Sequence, residues 1–202
     1  MLLTIFNSIE SWDFSILNWI QKTFASPFFD KASPIISYLG DGGIFLIALA
    51  LLFLCFPKTR RLGLSLGMAL IFGVIIGNVV LKNLFFRIRP YDVPGYEAMR
   101  EALLVPPLSD GSFPSGHTLA VFEGTTVFFL WKKRYGLIAL FFAILVAFSR
   151  LYLFVHYPSD VIAGALLGIL FGIAGFCLVK YLYEKFALDE KLLLPHEKKQ
   201  KQ

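Results

Sequence analysis

The sequence predicts an all-α integral membrane protein: a helical bundle with five clear transmembrane helices plus an N-terminal amphipathic or partly inserted helical segment. Of its 202 residues, 57% are hydrophobic and only 16% are charged, and the mean hydropathy is +0.70. This composition is more apolar than that of a typical soluble domain. Several apolar runs also approach the roughly 20 residues that a helix needs to cross a ~30 Å hydrocarbon core.

Five apolar runs are interpreted as membrane spans. They cover residues 42–56, 62–81, 117–131, 135–155 and 161–179. The fourth run contains Arg150, which is unfavourable in lipid unless it faces protein, water or an interface. In the last run, Gly164, Gly168 and Gly172 repeat every four residues, which predicts a smooth face for close helix packing.

The N-terminal segment has a different pattern. Apolar residues recur there at helical spacing, at Phe14, Leu17, Ile20 and Phe24. Polar residues occupy the other faces, at Asp13, Asn18, Gln21 and Lys22. This pattern predicts an amphipathic or partly inserted helix, followed by a second short helix near residues 28–39. A secretory signal is not indicated, because the segment lacks a basic beginning and contains Glu10 and Asp13.

Basic residues lie in the hydrophilic breaks between the apolar runs. They form three groups: Lys58, Arg60 and Arg61; Lys132, Lys133 and Arg134; and the tail from Lys180 to Lys201. Counting the crossings places all three groups on one side, which the positive-inside rule assigns to the cytoplasm. The net charge of +5 therefore indicates topology, and we expect no nucleic acid partner. We divide the chain into an interfacial segment (1–40), a membrane-embedded core (41–185) and a polar cytoplasmic tail (186–202).

The opposite, outer side receives most of the remaining ionisable residues. They include Lys82, Arg87, Arg89, the loop 86–116, His117, Arg150, His156 and Asp160. Any one of them could be a helix cap or a side chain that reaches from the bilayer to water. Their concentration at one end of a small bundle instead predicts a single polar site.

Two stretches of this outer side have the features of a phosphate site. Lys82 and Arg89 are seven residues apart, so a helix that ends at Pro90 would present both cations on one face. In FPSGHT (113–118), Ser115 can cap a new helix, and Gly116 would let an anion approach the free amides at its positive end.

The third stretch supplies a candidate nucleophile. His156 and Asp160 are four residues apart, so the carboxylate can orient one imidazole nitrogen and leave the other as a nucleophile or base. Arg150 can offer a planar pair of donors to phosphate oxygens.

These residues lie in three ordered stretches: KNLFFRIRP (82–90), PSGH (114–117) and SRLYLFVHYPSD (149–160). Together they resemble the three-part signature of the type 2 phosphatidic acid phosphatases, whose active site is shared with the vanadium haloperoxidases. Each stretch is weak evidence by itself. Their combination, in order and within a membrane bundle, is specific.

The resemblance implies a role for each matching residue. His156 attacks phosphorus and becomes a phosphohistidine, Asp160 orients it, and His117 protonates the leaving oxygen. The non-bridging oxygens are held by Lys82, Arg89, Arg150, Ser115 and the Gly116 amide. Positioning and positive charge are the main requirements of phosphoryl transfer, so no metal or cofactor is implied and we expect activity in the presence of a chelator.

The expected substrate is a membrane lipid phosphate, bound from the bilayer at the outer face of the cell membrane. The short chain resembles bacterial undecaprenyl pyrophosphate phosphatases, which favours that carrier lipid slightly. Hydrolysis of phosphatidic acid or phosphatidylglycerophosphate is the alternative. Two further alternatives are a lipid or anion transporter and a catalytically inactive scaffold. We infer no obligate protein partner.

Several other residues receive less weight. Arg87 is two residues from Arg89 and should face elsewhere on a helix, which favours contact with lipid headgroups over catalysis. Glu123 lies within an apolar run and is either a functional group or a hydrogen-bonded or protonated contact between helices. We assign no chemistry to Cys55, Cys177 or His196.

Overall fold

The computed structural model describes residues 2–186, and within that range every regular element is helical. The helices are α1 (Leu2–Phe24), α2 (Pro27–Leu39), α3 (Ile44–Leu54), α4 (Pro57–Leu84), α5 (Glu97–Glu101), α6 (Gly116–Trp131), α7 (Lys133–Tyr152) and α8 (Pro158–Phe186). The predicted all-α class is confirmed for this part of the chain. The predicted tail lies outside the described residues except for Phe186, and His196 lies there too.

Three helices are long and apolar enough to cross a membrane: α4, α7 and α8. The first and third predicted spans correspond to α3, with 11 residues, and α6, with 16 residues. Both are shorter than the roughly 20 residues that a crossing needs. The structure therefore supports a membrane protein with three candidate spans, and the count of five stays a prediction.

Helix α4 changes its winding midway. It is α-helical over Arg60–Phe72 and π-helical over Gly73–Leu81. Gly73 and Gly77 lie in this π-helical part and pack directly on α6. A Cβ at Gly73 would lie 2.3 Å from Oε1 of Glu123, and one at Gly77 would lie 2.6 Å from Leu119. π-helical turns are rare and frequently occur at functional sites, and this one borders the cavity described below.

Helix α6 lies between α8, α7 and α4 and makes extensive contacts with each. The glycines of α8 allow its close contact with α6. A Cβ at Gly164 would lie 2.7 Å from the Ser115 carbonyl oxygen, and one at Gly168 would lie 2.5 Å from that of Leu119. The predicted packing face is therefore confirmed. It brings the beginning of α8 against the beginning of α6, where the amide of Ser115 donates to the carbonyl of Asp160 (3.2 Å).

Helices α1 and α2 lie against this bundle, with α1 contacting α7 and α8 and α2 contacting α7. Leu17 and Ile20 of α1 are buried, whereas the predicted polar residues Asn18 and Lys22 are exposed. The predicted amphipathic helix is thus confirmed, with one correction. Asp13 was expected on the polar face, but it is completely buried because it hydrogen-bonds to groups at the beginning of α8.

Candidate active site

A cavity of about 530 Å³ opens at the end of the bundle where α6 and α8 begin. Five of the eight predicted site residues line it: Lys82, Arg89, Gly116, His117 and His156. The other three, Ser115, Arg150 and Asp160, do not line it and are buried. Leu108–Gly111 and apolar residues of α3 and α4 complete the wall. Three separated stretches of sequence therefore meet around one space.

His156 lies in the turn between α7 and α8 and is only 1% exposed. Its Nε2 is 3.5 Å from Nη1 of Arg89, and its Nδ1 is 3.6 Å from Oδ2 of Asp160. An arginine N–H can only donate, so this geometry favours the tautomer with the lone pair on Nε2 and the hydrogen on Nδ1. Asp160 is thus beside the imidazole, as predicted, at a distance slightly beyond a hydrogen bond.

The protonation state of His156 follows from its surroundings. Burial lowers the pKa of His156 well below its usual value of 6.5, and the positive charges of Arg89, Arg150 and Lys82 act in the same direction. The imidazole is therefore neutral near pH 7 and keeps a lone pair available.

His117 lies in the first turn of α6, and its Nε2 is 3.5 Å from Oδ1 of Asp41. Asp41 comes from the short 3₁₀ turn before α3, and the sequence patterns did not single it out. Ser115 occupies the N-cap position, as predicted, but its hydroxyl pairs with that of Thr118 (3.0 Å) and not with a backbone amide. At Gly116, a Cβ would lie 2.8 Å from Oδ1 of Asn78, so a larger residue here would displace the Asn78 side chain.

Lys82 and Arg89 meet in a way that the sequence did not predict. Helix α4 ends at Leu84, well before Pro90, and the carbonyl of Arg87 accepts its hydrogen bond from the amide of Ser112 (2.9 Å). The prediction that both cations share one helical face is therefore wrong. Instead, both bind the carboxylate of Asp110: Lys82 through Nζ, and Arg89 through Nη2 (2.6 Å).

Asp110 is held over the cavity by the loop between α4 and α6. The buried Tyr91 fixes this loop, because its hydroxyl accepts from the amide of Leu108 (2.9 Å). Burial alone would raise the pKa of Asp110, but the hydrogen bonds and charges of Lys82 and Arg89 lower it to about 2. An anion therefore already sits on two of the predicted phosphate-binding cations.

Arg150 is buried at the end of α7 and is turned towards α2, where its Nη1 donates to the hydroxyl of Ser37. Its Nε has no hydrogen-bond partner among residues 2–186. The guanidinium contributes positive charge at His156. Its predicted contact with phosphate oxygens stays a prediction.

Arg87 does not face lipid headgroups, and this expectation is wrong. Its Nη1 donates to Oδ1 of Asp160 (2.8 Å) and to the hydroxyl of Ser159 (2.7 Å). Its Nη2 donates to Oδ2 of Asp13 (2.7 Å), and the guanidinium lies 3.6 Å from the centre of the Tyr157 ring. Arg87 therefore joins α1 to the carboxylate beside His156.

Glu123 lines the cavity and is 1% exposed. Its Oε1 lies next to Gly73 and has no hydrogen-bond partner in the described part of the chain. No group of three or more metal-ligating side chains occurs among residues 2–186. Cys55 and Cys177 are exposed free thiols outside the site.

The chain is similar to a known protein family and to several known proteins. The family profile of the PAP2 superfamily matches residues 60–184. A protein of Sulfolobus acidocaldarius named undecaprenyl-diphosphatase is 36% identical over 125 residues, which are 60% of this chain and 57% of that protein. A Bacillus licheniformis protein named bacitracin transport permease protein BcrC is 28% identical over 193 residues, or 93% of this chain and 90% of that protein.

A solved structure is also similar, the PAP2 type phosphatidylglycerolphosphate phosphatase from Bacillus subtilis. It matches with a TM-score of 0.61 and 25% identity, covering 89% of this chain and 88% of that one. The profile match spans all of α6 and α7 and includes Lys82, His117 and His156. The chain therefore belongs to the PAP2 superfamily, a membership that confirms the predicted family and the predicted class of phosphate-ester hydrolase.

Proposed function

We propose that this protein is a membrane lipid phosphatase that cleaves a phosphate or pyrophosphate headgroup through a covalent intermediate on His156. The observation that carries the proposal is the buried imidazole of His156, which lines the cavity with its Nε2 3.5 Å from Nη1 of Arg89. A neutral nucleophile surrounded by fixed cations has the features that phosphoryl transfer requires.

The proposed reaction has two steps. The Nε2 lone pair of His156 attacks the terminal phosphorus, and the bond from that phosphorus to its leaving oxygen breaks. His117 gives its proton to this oxygen, which leaves with the lipid alcohol of a monophosphate or with the lipid phosphate of a pyrophosphate. Water then attacks the phosphohistidine, His117 takes up a proton from the water, and inorganic phosphate leaves while His156 is restored. Oδ1 of Asp41 lies 3.5 Å from Nε2 of His117, close enough to orient this imidazole.

The phosphoryl oxygens would be held by Lys82 and Arg89, helped by the Gly116 amide at the beginning of α6 and by the predicted donors Arg150 and Ser115. These groups place positive charge where the transition state spreads negative charge. The substrate phosphate must displace Asp110, which is half exposed and occupies both cations in this structure.

The proposed substrate is undecaprenyl pyrophosphate, with phosphatidic acid or phosphatidylglycerophosphate as the alternative. The name of the Sulfolobus relative supports the first, and the name of the Bacillus subtilis structure supports the second. The cavity suits either class, because its wall combines the cations with apolar residues such as Ile47, Leu70 and Val74. The basic groups of the sequence support an outer-face site with the C-terminus in the cytoplasm.

The transporter alternative has little support, although one relative carries a transport name. Transporters commonly bind their substrates near the bilayer midplane between repeated halves. In the described part of the chain, Lys82, Arg89, His117 and His156 gather where helices begin or end. This placement favours a reaction with headgroups.

The test is phosphate release by the purified protein in detergent micelles, with a chelator present. We expect the highest kcat/KM for undecaprenyl pyrophosphate in a panel that includes phosphatidic acid and phosphatidylglycerophosphate. His156→Ala should release no phosphate from any of them. His196→Ala, the same change in the tail, is the matched control and should behave like wild type. Equal phosphate release by His156→Ala and wild type would show that His156 is not the nucleophile.

A further inference from the structure

Asp13 is a completely buried carboxylate on α1. It lies outside residues 60–184, the range that the PAP2 superfamily profile matches. None of the reaction steps above uses it. Its position next to the proposed active site therefore needs an explanation specific to this chain.

Both carboxylate oxygens of Asp13 accept hydrogen bonds from residues next to Asp160, namely Ser159 and Arg87. Oδ1 accepts from the amide of Ser159 (2.8 Å) and Oδ2 from its hydroxyl (2.6 Å). Oδ2 also accepts from Nη2 of Arg87 (2.7 Å), whose Nη1 binds Asp160 (2.8 Å). An unbroken series of contacts thus runs from Asp13 through Arg87 and Asp160 to His156.

The charges in this series are unequal. Two carboxylates share one guanidinium, so the group of Asp13, Arg87 and Asp160 carries a net charge of −1 when all three are ionised. His156 gains positive charge when its Nε2 bonds to phosphorus, and a buried negative charge beside it stabilises that state. If Asp13 were neutral, the positive charge of Arg87 would neutralise the negative charge of Asp160. The cationic form of His156 would then lose its stabilisation.

We propose that Asp13 is a positioning residue of the phosphatase: it holds Arg87 and offsets its charge, so that Asp160 can orient His156 and stabilise its cationic form. This inference rests on the proposed function. The alternative is that Asp13 merely docks α1 on α8 through Ser159. If Asp13 only docks α1 on α8, its substitution should lower the stability of the protein without a specific effect on kcat.

The test compares Asp13→Asn, Asp160→Asn and the double variant in the lipid phosphatase assay. Asp13→Asn keeps the shape of the side chain. We expect kcat to fall about tenfold, which is the loss typical when a residue that orients a metal-binding histidine is removed. KM and inhibition by inorganic phosphate should stay within about twofold of wild type, because the phosphate-binding cations are untouched. Glu10→Gln, an exposed charge on the same helix, is the matched control and should leave kcat unchanged.

The double variant separates positioning from docking. If Asp13 acts through Asp160, adding Asp13→Asn to Asp160→Asn lowers kcat no further, because the coupled effect is already lost. Effects that multiply, or an unchanged kcat in Asp13→Asn, would overturn the inference. If Asp13→Asn does not fold, Ser159→Ala removes the hydroxyl shared by Asp13 and Arg87 and must show the same non-additivity. Wild-type protein without activity on any lipid would instead overturn the proposed function together with this inference.

Discussion

Arg87 and Arg89 are two residues apart in sequence, yet they lie in opposite kinds of surroundings. Arg87 binds two carboxylates, Asp13 and Asp160, which are both completely buried. Arg89 binds Asp110, a half-exposed carboxylate on a loop at the cavity. Both carboxylates that bind Arg87 are closed to water, whereas the carboxylate that binds Arg89 is one that water can reach.

This difference separates two tasks that a cation can have in a phosphatase. A guanidinium enclosed by buried acids can fix the position of a catalytic group. A guanidinium held in place by backbone carbonyls, as Arg89 is by those of Val155 and Asp110, can exchange a half-exposed acid for a phosphate. The following predictions test whether the two arginines divide these tasks, in order of decreasing effect.

Arg87→Ala should produce the largest loss of stability. It leaves the buried carboxylates of Asp13 and Asp160 without their shared partner, and breaking a buried ion pair on one side commonly lowers the free energy of unfolding by about 3–5 kcal/mol. The melting temperature in detergent measures this loss. Arg100→Ala, which removes an exposed arginine paired with Asp92, is the control and should have little effect. Equal melting temperatures for the two variants would show that the network around Arg87 does not hold the site together.

Arg89→Ala should mainly affect the reaction. Removal of one fixed donor to the developing charge commonly lowers turnover by about 10²–10³-fold, and we expect kcat/KM to fall by this amount. The melting temperature should change less than in Arg87→Ala, because Arg89 leaves one half-exposed carboxylate and neutral backbone carbonyls without a donor, whereas Arg87 leaves two buried carboxylates. A variant that melts early but retains normal kcat/KM would reverse the assignment of the two arginines.

His156 should make the folded state sensitive to mild acid. The folded protein holds the pKa of His156 well below 6.5, because burial and the charges of Arg89 and Arg150 oppose protonation. The unfolded chain is therefore protonated first as the pH falls below about 6.5, and stability decreases by up to about 1.4 kcal/mol per pH unit. Between about pH 6.5 and 5, the melting temperature of wild type should fall more steeply than that of His156→Gln. Parallel curves would contradict a neutral, buried imidazole.

Asp110→Asn should have the smallest effect, and in the opposite direction. Removing the carboxylate that occupies Lys82 and Arg89 should strengthen inhibition by inorganic phosphate about two- to fivefold, in keeping with the modest strength of exposed ion pairs. Asp92→Asn, which removes a carboxylate paired with Arg100, is the control. Weaker inhibition in Asp110→Asn would indicate that Asp110 positions the cations and does not compete with the substrate.

The sequence predicted the positions of several motif residues because those positions depend on neighbouring residues. His117 had to lie at a helix beginning, since Ser115 and Gly116 precede it, and His156 had to lie near Asp160 because four residues separate them. The helical class and the glycine face of α8 also follow from periodicity. Five of the eight predicted residues line one cavity.

The remaining contacts were not predictable because they join distant parts of the chain. Asp13 and Arg87 are separated by 74 positions, and the periodicity of α1 placed Asp13 on a polar face. The error about Arg87 arose from extending α4 to Pro90, whereas the chain leaves the helix at Leu84 and pairs with the loop before α6. The available signals were an acidic residue on an amphipathic helix, Asp13, and a second arginine in the first motif, Arg87. Neither signal identifies the residue with which it pairs.

Detection of the covalent intermediate tests the central claim most directly. Purified protein would be mixed rapidly with lipid substrate, quenched at alkaline pH, where phosphohistidine persists, and examined by peptide mass spectrometry. We predict one phosphoryl group on the peptide containing His156 in wild type and none in His156→Gln. A phosphoryl group on another side chain, or phosphate release without any phosphorylated peptide, would contradict the account.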